Sequence, residues 1–133
     1  MPENIRETAF AMETSSIKFG PGVTREVGFE MASLGAKKTM VVTDQQMAVL
    51  QPVSIVMESL KAAGIDAVLF DQVSVEPTDV SFKQAIAFAV DGNFDSYVAV
   101  GGGSSIDTAK AANLYDTYPA DFLTYVNAPI GKG

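Results

Sequence analysis

Three glycines followed by two serines carry the clearest chemical signal in the sequence, at positions 101–105. They come directly after the apolar run at positions 97–100 and lead into residues 106–112, whose composition favours a helix. Glycine adopts backbone conformations closed to other residues and lets a ligand approach the main chain closely. The free N–H groups and the dipole of a helix N-terminus attract an anion. The segment therefore predicts a site for a phosphate or a pyrophosphate.

The same segment also has a purely structural interpretation. In a tight strand-to-helix turn, Ser104 would cap the helix. Asp107, at the third helical position, would be the acid that bonds back to the N-cap, as in a capping box. An acid there stabilises the helix N-terminus, although it would repel a phosphate placed close to it. Lys110 lies on the same helical face and would neutralise Asp107 or remain solvated. Both interpretations of the segment stay open.

A single acid, Asp44, ends another apolar run, at positions 39–43. A carboxylate in that place can accept hydrogen bonds from both hydroxyls of an adenosine ribose, and it repels the 2′-phosphate of NADP. It would therefore select NAD. The usual dinucleotide fingerprint places its acid about 20 residues after the glycines, whereas Asp44 precedes them. An acid that caps a loop is an equally good interpretation of Asp44 alone.

The composition excludes several kinds of chemistry from this chain. Its 133 residues contain no cysteine and no histidine, which excludes a disulfide, a thiol nucleophile, a histidine base and any metal site built from those side chains. We therefore predict no catalytic residue and no metal ligand. A net charge of -7, from 16 acids against 9 bases, disfavours nucleic acid as a partner, because phosphate binding needs clustered cations.

The first residues and the hydropathy lead to an expectation about location. Met1-Pro2-Glu3-Asn4 has an early acid and no apolar signal region. No apolar run approaches the roughly 20 residues that span a bilayer. We expect a cytoplasmic protein that does not bind membranes.

Alternating strand and helix patterns must position these residues, since the apolar period switches between two and about 3.6. The spacing predicts an opening hairpin over 8–12 and 17–19, a helix over 23–34 that ends at Gly35, and strands over 39–43, 67–70 and 97–100. Further helices are predicted around 53–60, closed by Gly64, and from the N-cap Thr78 to Gly92.

Successive strand–helix units imply an α/β fold with an open, doubly wound, mostly parallel sheet of the Rossmann-like kind. The length fits one domain over residues 1–133. Ligands of such sheets bind beyond the carboxyl ends of the strands. We therefore expect function at Asp44, in the stretch 71–78 and at the glycine turn.

Positions 101–110, Gly-Gly-Gly-Ser-Ser-Ile-Asp-Thr-Ala-Lys, resemble the GGGSxxDxAK segment of the iron-type (group III) alcohol dehydrogenases. The resemblance extends to Phe19-Gly20-Pro21-Gly22, Val42-Thr43-Asp44, Glu76-Pro77-Thr78 and the tail 127–133. Its details are most similar to the hydroxyacid-oxoacid transhydrogenase branch. The implied fold is the N-terminal, dehydroquinate synthase-like domain of that family.

In that family the glycine run binds the dinucleotide pyrophosphate, and an acid at the position of Asp44 contacts the adenosine ribose. The resemblance therefore implies NAD rather than NADP as the cofactor. Many members carry Asn where this chain has Glu76, so the chain departs from the pattern at a position where a ribose contact is implied. The implied cofactor contacts are Asp44, Glu76, Gly101, Gly102, Gly103, Ser104, Ser105 and Asp107.

The family's iron or zinc is held by one Asp and three His in a helical C-terminal domain, and no residue of this chain matches them. The resemblance implies hydride transfer between nicotinamide and a small hydroxyacid or alcohol substrate, such as 4-hydroxybutyrate with 2-oxoglutarate as acceptor. We expect the chain to be inactive alone. Apolar surface that normally packs on the second domain would be exposed and favours a homodimer.

Two alternatives from other classes remain. One is a free-standing nucleotide-binding or regulatory module, which needs no metal. The other is a related sugar-phosphate lyase or synthase, such as a dehydroquinate synthase, which shares the glycine turn. Ser104, Ser105 and Asp107 together weigh against the second alternative.

Overall fold

A three-stranded parallel sheet forms the centre of the computed structural model, which describes residues 15–125. The strands are β1 (Lys38–Val42), β2 (Asp66–Phe70) and β3 (Ser96–Ala99). The helices are α1 (Val27–Ser33), α2 (Gln45–Ala48), α3 (Gln51–Ala62), α4 (Asp79–Gly92) and α5 (Gly103–Thr117). Short 3-10 helices occupy Val23–Glu26 and Phe122–Tyr125.

The strand order is β2-β1-β3, so that β1 lies in the middle. Val41 is the partner of Leu69 on one side and of Val98 on the other. From β1 the chain first moves to β2 and then crosses back over β1 to β3. The strand order therefore reverses beside β1, and in open α/β sheets ligands bind at the carboxyl ends of the strands at such a point.

Helices cover both faces of the sheet, as the sequence predicted. Met40 and Val42 of β1 pack in one core with residues of α4 and α5, including Ala85 and Ala109. Val41 faces the opposite way and packs with Val56 and Leu60 of α3, with residues of α1 beside them. A strand that is apolar on both faces is typical of a buried parallel sheet. The doubly wound α/β prediction is confirmed.

Glycines and a polar cap set several of the helix ends. Gly35 and Gly64 follow α1 and α3 with φ of +84° and +77°, a conformation that glycine adopts without strain. Thr78 caps α4, and it exchanges hydrogen bonds with Ser81. The predicted stop at Gly92 is confirmed. Gly92 is the last helical residue, and Asn93 takes the left-handed conformation with φ of +51°.

The opening hairpin is the main departure from the predicted elements. Its first strand, 8–12, lies outside the described residues. Residues 17–19 form no strand, and the side chains of Ile17 and Phe19 are 83% and 98% exposed. Short apolar alternation predicts a strand only where a neighbour can pair with it, and no strand within 15–125 does so. Lys18 instead forms an ion pair of 2.6 Å with Glu30 of α1.

None of the helices in residues 15–125 has the length and apolar character required to cross a bilayer.

Candidate functional site

The glycine turn connects the end of β3 to the start of α5. Gly101 has a φ of +140°, a conformation that L side chains rarely adopt. A Cβ atom at Gly101 would lie 3.0 Å from Ser105 Oγ and 3.7 Å from Met47 Cγ. The fold itself therefore requires glycine at this position.

Gly102 and Gly103 are different, because the packing of the described residues does not require glycine at either. Apart from the chain neighbours and the backbone of the same helix, a Cβ atom at these positions would meet no atom of the described chain within 4 Å. Gly102 has an extended conformation with φ of -88°, and Gly103 is not among the positive-φ glycines. The space in front of both residues is open. Glycine at both positions would let a bound molecule approach the main chain closely.

The start of α5 offers hydrogen-bond donors to that open space. The first N–H groups of any α-helix have no partner within the helix, and no side chain in residues 15–125 caps α5. The helix runs for 15 residues, from Gly103 to Thr117, with its dipole directed so that the positive end lies at the glycine turn. A helix N-terminus with these features can attract an anion such as a phosphate.

Ser104 does not have the capping role that the structural interpretation gave it. The N-cap is Gly102, two residues earlier, because the glycines themselves enter the first turn. The Ser104 hydroxyl donates a hydrogen bond of 2.5 Å to the carbonyl of Val75. Asp107 is thereby moved to the fifth helical position, beyond the first turn, and its side chain is exposed. The capping-box interpretation of Ser104 and Asp107 is therefore wrong.

Ser105 has a buried hydroxyl without a hydrogen bond. The residue is 1% exposed, and its Oγ atom has no partner among the described residues. Buried polar atoms in proteins are almost always hydrogen-bonded. The unsatisfied hydroxyl lies beside Gly101, in the first turn of α5. It is a donor available to a bound anion.

Asp44 follows β1 and caps the short helix α2. Its Oδ1 atom accepts a hydrogen bond of 2.7 Å from the N–H of Met47. The loop-capping interpretation of Asp44 is therefore confirmed. The second oxygen, Oδ2, accepts no hydrogen bond from residues 15–125 and can contact a ligand. Asp44 borders a cleft of about 370 Å³ between the ends of β1 and β2, which Gln45, Gln72, Val75 and Gln84 help to line.

Two contacts join the predicted site residues into one region. Met47, whose amide Asp44 binds, extends its side chain towards Gly101. The bond from Ser104 to Val75 holds the segment after β2 against the start of α5, and Glu76 comes next in that segment. Glu76 is exposed and forms no ion pair with a cation of residues 15–125. The structure thus brings Asp44 and the glycine turn together and leaves Glu76 and Asp107 at the solvent-exposed rim.

The sequence did not predict that Met47 and the carbonyl of Val75 contact the glycine turn and the start of α5. Neither carries a chemical signal of its own, since one is an apolar side chain and the other a main-chain oxygen. Thr43 was predicted only as a strand residue. Thr43 is a hydroxyl residue directly before the candidate acid Asp44, at the end of a strand predicted to be buried. That combination is the signal that could have marked Thr43 as part of the site.

The residues present do not fit an iron or zinc site. The whole sequence lacks histidine and cysteine. Within the described part of the chain, no group of three or more potential ligands comes together. Carboxylates and carbonyls alone suit magnesium or calcium better than zinc or iron.

Comparison with known proteins agrees with this geometry. The sequence profile of iron-containing alcohol dehydrogenases matches residues 14–132. This chain belongs to the iron-containing alcohol dehydrogenase family. The resemblance inferred from the glycine run is thereby confirmed.

Relatives of this family include mitochondrial hydroxyacid-oxoacid transhydrogenases. The protein of that name from Bos taurus is 56% identical over 126 residues, which cover 94% of this chain and 27% of the relative. The protein from Homo sapiens is 54% identical over the same length and with the same coverage. A probable transhydrogenase from Dictyostelium discoideum is 46% identical over 134 residues, or 94% and 24% of the two chains. This chain thus spans about a quarter of the length of the curated relatives it matches.

Solved structures of the family share the fold. NADH-dependent butanol dehydrogenase A from Thermotoga maritima has a TM-score of 0.79 and 26% identity, covering 90% of this chain and 31% of its own. A 1,3-propanediol oxidoreductase has a TM-score of 0.77 and 31% identity, covering 81% and 28%.

The predicted cytoplasmic location is wrong, because the transhydrogenase relatives are named as mitochondrial proteins. That prediction relied on the lack of an apolar signal region. Mitochondrial targeting segments are amphipathic and rich in arginine and need no such region. The hydropathy of the first residues therefore does not decide between the two locations.

Proposed function

We propose that this chain binds NAD and forms the dinucleotide-binding part of a metal-dependent oxidoreductase, an alcohol dehydrogenase or a hydroxyacid-oxoacid transhydrogenase. The observation that carries the proposal is the open space in front of Gly102 and Gly103 at the start of α5. Nothing in the packing of the described residues explains these two glycines, whereas a pyrophosphate lying against the main chain does.

The other site residues have complementary roles in this proposal. The first N–H groups of α5 and the Ser105 hydroxyl donate to the pyrophosphate. The pyrophosphate would thereby satisfy the one buried hydroxyl that has no partner among residues 15–125. Asp44 keeps Oδ1 on Met47 and offers Oδ2 to the adenosine ribose. The cleft beside Asp44 gives the adenosine a place to lie. Glu76 and Asp107 complete the rim.

NAD, when bound, supplies the hydride acceptor or donor of the reaction. The residues of this chain bind and orient it. Asp44 disfavours NADP, because its carboxylate would face the 2′-phosphate. The names of the relatives support a hydroxyacid and an oxoacid as substrates and the mitochondrion as the location. Ligands for a catalytic metal would have to come from sequence outside these 133 residues.

Titration of the chain with NAD in a calorimeter, extended to millimolar ligand, tests the proposal. We expect saturable binding by the parent and none by Gly102→Val. The valine Cβ enters open space, and the extended backbone of Gly102 accepts a β-branched residue, so circular dichroism should show an unchanged fold.

Gln51→Val is the matched control, since it places the same side chain at the exposed start of α3. This variant should bind NAD like the parent. Equal binding by Gly102→Val and the parent would remove the pyrophosphate from the glycine turn.

A further inference from the structure

Thr43 connects the ends of all three strands and is fully buried. Its N–H group donates to the carbonyl of Phe70, at the end of β2, over 2.9 Å. Its carbonyl accepts from the N–H of Val73, over 3.3 Å. Its hydroxyl donates to the carbonyl of Val100, just after β3, over 2.7 Å. One residue directly after β1 therefore contacts both neighbouring strand ends.

The hydroxyl of Thr43 replaces a hydrogen bond of the sheet. The N–H of Val100 donates to the carbonyl of Val42 over 2.9 Å. In a continued parallel ladder the carbonyl of Val100 would accept from the N–H of Asp44. The Thr43 hydroxyl takes that place instead. The main chain can then leave the sheet at Asp44 while the ends of β1 and β3 stay joined.

Each strand end that Thr43 joins leads into a part of the proposed site. Asp44 is the next residue, Val100 precedes Gly101, and Val73 begins the segment that reaches Val75. We propose that Thr43 is a positioning residue for the dinucleotide, and that its hydroxyl sets the placement of the glycine turn relative to Asp44 through the Val100 carbonyl. This inference rests on the proposed function, because it concerns the same site.

Thr39 provides an internal comparison for Thr43, because its hydroxyl also joins β1 to β3, at the opposite end of the two strands. Thr39 belongs to β1 and is fully buried, like Thr43, and its hydroxyl shares a hydrogen bond of 2.7 Å with the hydroxyl of Ser96 in β3. Thr39 and Thr43 lie four residues apart, on one face of the strand. Only Thr43 is at the carboxyl end, where the site lies. The two residues therefore separate a role in sheet stability from a role in positioning.

The test compares Thr43→Val, Thr43→Ser and Thr39→Val in calorimetric NAD titrations and thermal unfolding. Both valine variants should unfold at lower temperature than the parent, because each loses a buried hydrogen bond. Only Thr43→Val should weaken NAD binding, by about fivefold or more, on the scale of one lost hydrogen bond. Thr43→Ser keeps the hydroxyl and should bind within about twofold of the parent.

Equal NAD affinity of Thr43→Val and the parent would overturn the inference, as would equal weakening by Thr39→Val. If Thr43→Val lacks the circular dichroism of the parent, Thr43→Ser and Thr43→Ala give the same comparison with smaller side chains. Normal binding by the parent and loss in Gly102→Val, with no effect at Thr43, would overturn this inference alone. Absence of NAD binding by the parent would overturn the proposed function and this inference with it.

Discussion

The hydroxyl of Ser104 donates a hydrogen bond of 2.5 Å to the carbonyl of Val75, across 29 positions of sequence. It joins the first turn of α5 to the segment that follows β2. Two of the three strand ends that form the proposed site are thereby held together.

Replacement of Ser104 by alanine should loosen that segment. The Val75 carbonyl loses its donor, and we expect a loss of about 1 kcal/mol in the free energy of unfolding. Hydrogen exchange at the amides of residues 73–76 should become faster. Ser54→Ala is the control, because the Ser54 hydroxyl bonds only within its own helix, to the carbonyl of Gln51. Equal exchange rates in the parent and Ser104→Ala would show that the bond does not hold the segment.

Asp44→Asn should separate the two roles of Asp44. Asparagine is as good an N-cap as aspartate, so the variant should keep α2 and its thermal stability. It removes the negative charge that disfavours a 2′-phosphate, so the ratio of NADP to NAD dissociation constants should fall.

Asp44→Ala is the companion variant, since it loses the cap as well. It should show the same change in selectivity with a loss of about 1 kcal/mol in stability. An unchanged ratio of the two cofactor affinities in Asp44→Asn would place the ribose elsewhere, and the glycine-turn hypothesis would survive.

Gly103→Ala should stabilise the fold and weaken the function. Apart from its chain neighbours and the backbone of its own helix, a Cβ atom there meets nothing within 4 Å in the described chain. Alanine also favours a helix over glycine by up to about 1 kcal/mol. The same methyl group enters the space proposed for the pyrophosphate, so NAD affinity should fall. Thermal unfolding and calorimetry measure the two effects.

Gly28→Ala is the contrasting glycine variant. A Cβ atom at Gly28 would lie 2.1 Å from the main-chain oxygen of Ser59, where α1 packs on α3. We expect this variant to lose about 1–3 kcal/mol of stability.

Unchanged NAD affinity in Gly103→Ala would argue against a ligand at the turn.

Asp95 should make the fold sensitive to acid. A hydrogen bond from the Ser96 hydroxyl is the largest effect that lowers the pKa of Asp95 below its ordinary value of 3.8. The amides of Lys37 and Lys38 add to it, and together they outweigh the opposing effect of burial. A carboxyl whose pKa is lowered by folding stabilises the fold above its unfolded pKa, and that contribution is lost as the pH falls through the folded pKa. The loss should therefore occur below pH 3.8.

Urea unfolding of the parent and Asp95→Asn between pH 7 and about pH 2.5 measures this contribution. The parent should be the more stable at neutral pH, and the two midpoints should converge in acid. A constant difference across the range would mean that ionisation of Asp95 is not the cause.

Several features of this protein follow from local sequence alone. The strands β1, β2 and β3 and the helices α3 and α4 were predicted because their apolar periods reflect burial on one face or both. Gly35 and Gly64 were recognised as helix ends because glycine adopts a positive φ without strain, wherever it stands in the chain. The glycine turn was found because its strand, glycines and helix are contiguous. The absence of histidine and cysteine needs only the composition.

Tertiary structure decided which partner each polar side chain found. Ser104 can cap its own helix or reach another segment, and only the packing of α5 beside residues 71–78 makes Val75 its acceptor. Residues 17–19 alternate like a strand, yet a strand needs a neighbour to pair with. Thr43 and Val100 are 57 positions apart. Such contacts depend on how whole strand–helix units pack against one another. A local pattern of residues contains no information about which distant segment will lie beside it.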